Sequence, residues 1–319
     1  MKTLALQIAL WPFGRGGSND TPIKQRFHAW WNGYDLHAKP RARSTPDEEG
    51  DDAPAPGPDQ LELVTGWTGT RREVAEAVWN AGFVVPGGDA YVGELVSGCT
   101  LTAAETMLEI NIGAGGGART VIAKFGNYVT GYEQEQELAR EARDQAVIHD
   151  IEGKLDVKVV PYEDIVIKPR YFRAALLRDA LCMVEDKEKL LAKVCDGLKG
   201  GEAHLIITDF LIDPDKDTAA LDEWLEGEGR AVYPWTLAEL KTCLRKQGVT
   251  LRTEVDESDR YCEMVTEGWA KYLAAIRGKE VTEEVGRQAM AEAAYWTRRV
   301  SALKSGALRY YVIKAVRIG

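Results

Sequence analysis

Apolar residues fall into short blocks whose period switches between helical and strand spacing, and this switching predicts alternating helices and strands. Residues 68–81, TGTRREVAEAVWNA, read as a helix with Val74, Ala77, Val78 and Ala81 on one stripe, stopped by Gly82. A helix is expected from 89, followed by a strand over 105–112, a helix over 117–125, a strand over 127–132 and a helix over 134–148. Strands near 155–160, 172–177 and 203–210 follow, the last two separated by a helix at 186–198. The remaining pattern gives a helix at 236–247, a strand near 249–255, a long helical stretch over 260–305 and a last strand over 308–317. Alternation of this kind predicts an α/β fold, a mostly parallel sheet with helices on both faces.

The region before 61 reads differently. Residues 21–43 place Phe27, Trp30, Trp31 and Tyr34 near helical spacing among Lys and Arg. Such a helix either packs its tryptophans against the domain or lies at a membrane surface. Residues 44–60, STPDEEGDDAPAPGPDQ, combine acids, Pro and Gly without a large apolar residue and read as a linker. The expected organisation is an aromatic, basic extension (1–43), an acidic linker (44–60) and one large domain (61–319), with 260–305 serving either as a substrate lid or as a homodimer contact.

Composition narrows the function. The chain has 319 residues, 45% of them hydrophobic, and 40 Lys plus Arg against 50 Asp plus Glu give a net charge of −10. Nucleic acid is therefore not an expected partner. Asp47, Glu48, Glu49, Asp51, Asp52 and Asp59 lie in the linker, with Glu62 at its edge, so the bulk charge says little about a site. Five scattered cysteines without a CxxC argue for a reducing, cytoplasmic setting, and four histidines without ligand spacing argue against a metal centre. The apolar start TLALQIALWPF follows a single Lys and has no small-residue cleavage site, so secretion is not expected.

The most informative motif is LEINIGAGGGART, residues 108–120. An apolar strand carrying Glu109 turns through Asn111, Gly113, Gly115, Gly116 and Gly117 directly into a helix. Glycines suit a backbone that must approach a ligand or adopt positive φ. The next strand ends in Glu133, about 20 positions on, where an acid accepts hydrogen bonds from an adenosine ribose. A dinucleotide would want G-x-G-x-x-G with free amides facing a pyrophosphate. Glu109 is poorly placed beside phosphates but suits a cationic amino acid and sulfonium, so S-adenosylmethionine fits better than NAD.

The run LEINIGAGGGARTVIAKFGNYVTGYE resembles motifs I and II of class I S-adenosylmethionine-dependent methyltransferases. Together with YEDIVI, FRAALLRDALCMVEDKEKL and the tail YWTRRVSALKSGALRYYVIKAV, it is most similar to the phosphoethanolamine N-methyltransferases, from about Trp67 to Ala315. The resemblance implies a Rossmann-like fold with a seven-stranded sheet, S-adenosylmethionine as cofactor and a small-molecule acceptor. It implies that Glu109, Gly113 and Gly115 contact the methionine part of the cofactor and Glu133 the ribose, with Asn111 also among the cofactor-binding residues. Asp164 and Ile165 would meet the adenine, with Val85 and Arg178 also on the cofactor. Asp179 would sit where cofactor and acceptor meet, and Arg230 and Arg299 would grip the acceptor's anion.

Departures from the family pattern bear on the substrate. The first loop glycine is Asn111, which tolerates a left-handed backbone. The family's catalytic tyrosine and histidine fall at Trp67 and Met183, and a phosphate-binding tyrosine at Phe210. A protonated amine must lose a proton before it attacks, whereas a thioether has none to lose. Three readings follow: an N-methyltransferase on a small anionic amine, with Asp179 or Tyr233 helping with the proton; an S-methyltransferase on a carboxylate-bearing thioether such as methionine; and a non-catalytic cofactor-binding regulator.

Overall fold

The computed structural model describes residues 66–216 and 219–319. The helix expected over 21–43, the linker over 44–60 and the proposed membrane contact lie outside the described residues. Seven strands, β1 (Thr106–Ile110), β2 (Tyr128–Glu133), β3 (Leu155–Val159), β4 (Ala174–Arg178), β5 (Ala203–Ile212), β6 (Thr250–Asp256) and β7 (Leu308–Arg317), form one sheet in the order β3-β2-β1-β4-β5-β7-β6. Pairings from β3 through β5 are parallel, and β7 runs antiparallel to β5 and β6.

Strand periodicity explains the layering. Met107, Leu176 and Ile206 pack on one face, under helices α1 (Gly69–Trp79), α2 (Gly88–Leu95), α3 (Gly116–Phe125), α4 (Gln136–Ile148), α8 (Ser258–Ile276) and α9 (Glu283–Ser305). Their neighbours Leu108, Leu177 and Ile207 point the other way, under α5 (Lys187–Gly197) and α7 (Leu237–Lys246). Alternate side chains of a strand go to opposite faces, so near-continuous apolar runs are what a doubly covered sheet requires.

The elements depart from the sequence pattern in three places. The expected helix over 260–305 is two helices, α8 and α9, because the chain turns through Gly278 at φ +78° and restarts where Thr282 accepts a hydrogen bond from Val285 N. An unexpected helix, α6 (Ala219–Gly227), joins β5 to α7. The buried stripe of α1 is Arg71, Val74, Ala75, Val78 and Trp79; Ala77 and Ala81 face solvent. Arg71 reaches the interior because Glu292 of α9 meets its Nε at 2.5 Å. Trp79 packs edge-on against Trp269 of α8 and Trp296 of α9, with centroids at 6.4 and 4.8 Å, so α1 is held to the carboxyl-terminal helices.

This topology fixes where a ligand can bind. From β1 the chain builds outward to β2 and β3, then returns to place β4 on the other side of β1. Ligands of open α/β sheets bind beyond the strand carboxyl ends at such a reversal, which here lies beside Ile110 and Arg178. Among the described residues no helix is long and apolar enough to cross a membrane.

Candidate cofactor and acceptor site

The glycine loop has the predicted backbone. Asn111, Gly113 and Gly115 have φ of +64°, +59° and +86°, in the left-handed region that favours Gly and tolerates Asn. Asn111 also bridges two strands. Its Nδ2 donates to the Arg178 carbonyl at 2.7 Å, and its Oδ1 accepts from the Tyr162 hydroxyl at 2.9 Å. A glycine there would lose both of these side-chain ties.

Glu109 is buried against the start of α3, where any Cβ at position 117 would run into its carboxylate. Its Oε2 has no hydrogen-bond partner. Burial pushes its carboxyl up to about 8, with Arg178 opposing the rise. Glu133 is also buried, but three backbone amides serve it: Gly113 N donates to Oε2 at 2.8 Å, and Gln134 N and Glu135 N to Oε1 at 3.0 Å each. A carboxylate offers about four acceptor positions, so Glu133 keeps room for one further donor, fewer than a two-hydroxyl grip needs. Burial still raises it to about 7.

The other cofactor candidates lie around the same end. Ile165 is buried and follows the short 3-10 turn Tyr162–Asp164, where Asp164 is exposed. Val85 and Trp67 are partly buried against the core, and the Arg71 guanidinium lies 4.1 Å from the Trp67 ring centre. Arg178 turns back from β4 to donate from Nη2 to the Pro86 carbonyl at 2.7 Å, while its Nε has no partner. The positive-φ glycine turn leaves its backbone bare of side chains, and the unsatisfied Glu109 oxygen suits a cationic amino-acid end. The donor set therefore fits S-adenosylmethionine.

Asp179 follows β4 at φ +53°, which is strained for a non-glycine residue. Thr208 Oγ1 and the Tyr310 hydroxyl donate to its Oδ1 at 2.9 and 2.8 Å, leaving buried Oδ2 without a partner. Burial raises its pKa despite Arg178 and those two donors. Asp179 caps no helix. The 3-10 turn at Leu181–Met183 is served by Asp209, which accepts from Leu181 N at 2.5 Å and from Cys182 N at 3.2 Å. Burial and the neighbouring Asp179 push Asp209 up to about 7. Met183 is half-buried, its sulfur 4.0 Å from Gln134 Nε2.

The basic candidates separate. Arg230 has no hydrogen bond or ion pair among the described residues, and its charge interacts with Glu228, Tyr295, Cys182, Arg299 and Tyr162. Arg299 instead forms a closed pair with Glu228, at 3.1 Å from Nε and 2.6 and 2.8 Å from Nη2. The Phe210 ring, 4.6 Å from the Arg299 carbon, is buried in a cluster with Tyr261 and Tyr310. Tyr233 is exposed, with its amide on the Cys182 carbonyl and Lys187 Nζ 5.6 Å from its ring. Sequence reasoning missed Tyr162, Asp209, Glu228, Tyr295 and Tyr310. Only tertiary pairing reveals them, as in the β5–β7 register that sets Phe210 opposite Tyr310.

Comparison with solved structures decides the fold. Haemonchus contortus phosphoethanolamine N-methyltransferase 2, in complex with phosphomonomethylethanolamine and S-adenosylhomocysteine, superposes with a TM-score of 0.70 at 18% identity, covering 81% of this chain and 60% of that one. This chain has the class I methyltransferase fold. The [4+2]-cyclase SpnF, at TM-score 0.62 and 17% identity over 80% of this chain and 99% of that one, has a similar structure, so the methyltransferase fold alone does not fix the reaction. In sequence, phosphoethanolamine N-methyltransferase 2 of Caenorhabditis elegans is 30% identical over 150 residues, 44% of this chain and 32% of that one. Phosphoethanolamine N-methyltransferase 1 of Arabidopsis thaliana is 22% identical over 190 residues, 60% of this chain and 38% of that one. The chain thus spans about a third of the length of these curated relatives. No family model matches it.

Proposed function

We propose that this chain is an S-adenosylmethionine-dependent methyltransferase acting on the nitrogen of a small anionic metabolite. The observation that carries the reading is a pair of buried carboxylate oxygens without hydrogen bonds, Glu109 Oε2 and Asp179 Oδ2, at the ends of adjacent strands beside the reversal of strand order. Buried carboxyl oxygens left without a hydrogen-bond partner are costly in a native fold. A cationic cofactor beside Glu109 and an ammonium acceptor beside Asp179 would satisfy both.

The bound cofactor would supply a methyl group on a cationic sulfur, which is already a good leaving group. The chain would supply position and proton handling. Glu109, Gly113 and Gly115 would hold the amino-acid end, Glu133 one ribose hydroxyl, and Ile165 and Val85 the adenine. Arg230 would hold the acceptor's anion. An ammonium acceptor would give its proton to Asp179, which frees the nitrogen lone pair for the methyl group that the bound cofactor would supply. A carboxylate raised by burial is the stronger base. Thr208 and Tyr310 keep its Oδ1 occupied, so the proton goes to Oδ2.

A second reading, methyl transfer to a carboxylate-bearing thioether, is favoured by Met183 and Trp67 standing where the family pattern has proton-handling groups. Incubation with methyl-labelled cofactor and a panel of ethanolamines, amino acids and thioethers separates the two. Label on amines supports the first reading, label only on thioethers replaces it with the second, and no transfer despite cofactor binding points to the regulator.

A further inference from the structure

The two arginines expected to grip the acceptor stand in different electrostatic states. Arg299 of α9 is 6% exposed, and its partner Glu228, just after α6, is 5% exposed. Both oxygens of Glu228 are fully used. Oε1 takes Arg299 Nε and Nη2 together with the Trp224 indole, and Oε2 takes Arg299 Nη2 at 2.8 Å and the Tyr295 hydroxyl at 2.9 Å. The rings of Phe210, Tyr295 and Trp296 lie 4.6, 4.6 and 5.0 Å from the Arg299 carbon. Arg299 is therefore neutralised by the protein before any acceptor arrives.

Arg230, two residues after Glu228, has no hydrogen bond or ion pair among the described residues and stays close enough to feel Glu228, Tyr295 and Arg299. The charges of Arg299 and Glu228 cancel, leaving Arg230 as the one of these two arginines without a paired carboxylate. A phosphate monoester carries about −1.5 to −2 at pH 7, more than Arg230 alone offsets, and drawing the rest of the countercharge from Arg299 would exchange Glu228 for the ligand. That exchange strands a buried carboxylate, the costly way to break a buried pair. A single carboxylate needs only Arg230 and makes a planar, two-point contact with its fork.

We propose that Glu228 is a built-in counter-anion that occupies Arg299 and restricts the acceptor to small molecules bearing one carboxylate, amino acids or their thioether relatives, rather than phosphate monoesters. This rests on the methyltransferase reading, and cofactor binding is therefore measured separately. Neither the amine nor the thioether chemistry is altered by it; it fixes the anionic end that both share.

The test compares size-matched carboxylate and phosphate acceptors, such as β-alanine against phosphoethanolamine and methionine against its phosphonate analogue. Wild type and E228Q are assayed with labelled cofactor, and cofactor Kd is measured by calorimetry. In wild type the carboxylate member of a pair is expected to have the higher kcat/KM by at least about tenfold, and E228Q to narrow that ratio about tenfold by improving the phosphate member, with cofactor Kd unchanged. Preference of wild type for the phosphate member overturns the proposal, and so does a folded, cofactor-binding E228Q with an unaltered ratio. The wild-type ratio decides alone if E228Q does not fold. Failure of wild type to bind cofactor would instead sink the methyltransferase reading.

Discussion

Replacing Glu109 by Gln removes a charge while keeping shape, and its consequence depends on pH in a calculable way. Burial holds the Glu109 carboxyl at about 8, so at pH 7 roughly one molecule in ten carries the charge without ligand, and ionising the rest costs about 1.4 kcal/mol. A charge-assisted contact with the cofactor's cationic end is worth about 1.5–3 kcal/mol. At pH 9 wild type is already ionised, and E109Q should bind about 10- to 150-fold more weakly. At pH 7 the ionisation cost takes about tenfold off that difference. The assay is calorimetric titration of S-adenosylmethionine into both proteins from pH 6 to pH 9. Because the cofactor's own amine titrates equally in both experiments, the ratio of the two affinities isolates Glu109. A ratio constant across that range, or tighter binding by the variant, would refute the assignment of Glu109 to the cofactor.

Other expectations follow from the same geometry. Glu133→Ala removes the acceptor of the Gly113, Gln134 and Glu135 amides and should weaken cofactor binding by about 1.5–3 kcal/mol; unchanged affinity in the same titration would mean that the ribose lies elsewhere. Arg230→Ala should raise the acceptor KM while leaving cofactor Kd and thermal midpoint near wild type. Arg299→Ala should instead destabilise the fold by about 3–5 kcal/mol, because it leaves Glu228 buried and unpaired; urea titration distinguishes the two, and an Arg299→Ala protein of normal stability would contradict the closed pair. Asn111→Ala should cost about 2 kcal/mol, from the lost ties to Arg178 and Tyr162, again by urea titration. Without cofactor, the raised carboxyls of Glu109, Glu133 and Asp209 hold protons that the unfolded chain releases. Stability should thus fall as the pH rises from about 4.5 to about 8 and level off above; a rising denaturation midpoint over that window would contradict the burial of these groups.

Local pattern carried much of the fold. The mostly apolar strand at Met107–Ile110, the glycine turn and the acid ending β2 appear in sequence as they stand in space, because each is set by neighbours within a few residues. Where the reading erred, a tertiary partner had overridden the pattern. Arg71 is inside because Glu292, 221 residues away, neutralises it, while Ala77, apolar but small, faces solvent at little cost. The turn at Gly278 was written in the sequence, though masked by the apolar period on both sides of it. The candidate site divides in the same way: the glycine loop from Glu109 to Gly117 is one contiguous stretch, whereas the residues around Asp179 and Arg299 come from β4, β5, α6, α9 and β7. The spent state of Arg299 follows from Glu228, 71 residues before it, and no spacing rule announces that partner.

The β1 and β4 ends are proposed to hold S-adenosylmethionine beside a small anionic acceptor. Titration of the full chain with S-adenosylmethionine, followed by transfer of a labelled methyl group in the presence of the acceptor panel, tests it most directly. Saturable binding is expected, with label appearing in a small anionic amine or thioether and, for an amine, lost in Asp179→Asn. Absence of cofactor binding at millimolar concentration would contradict it.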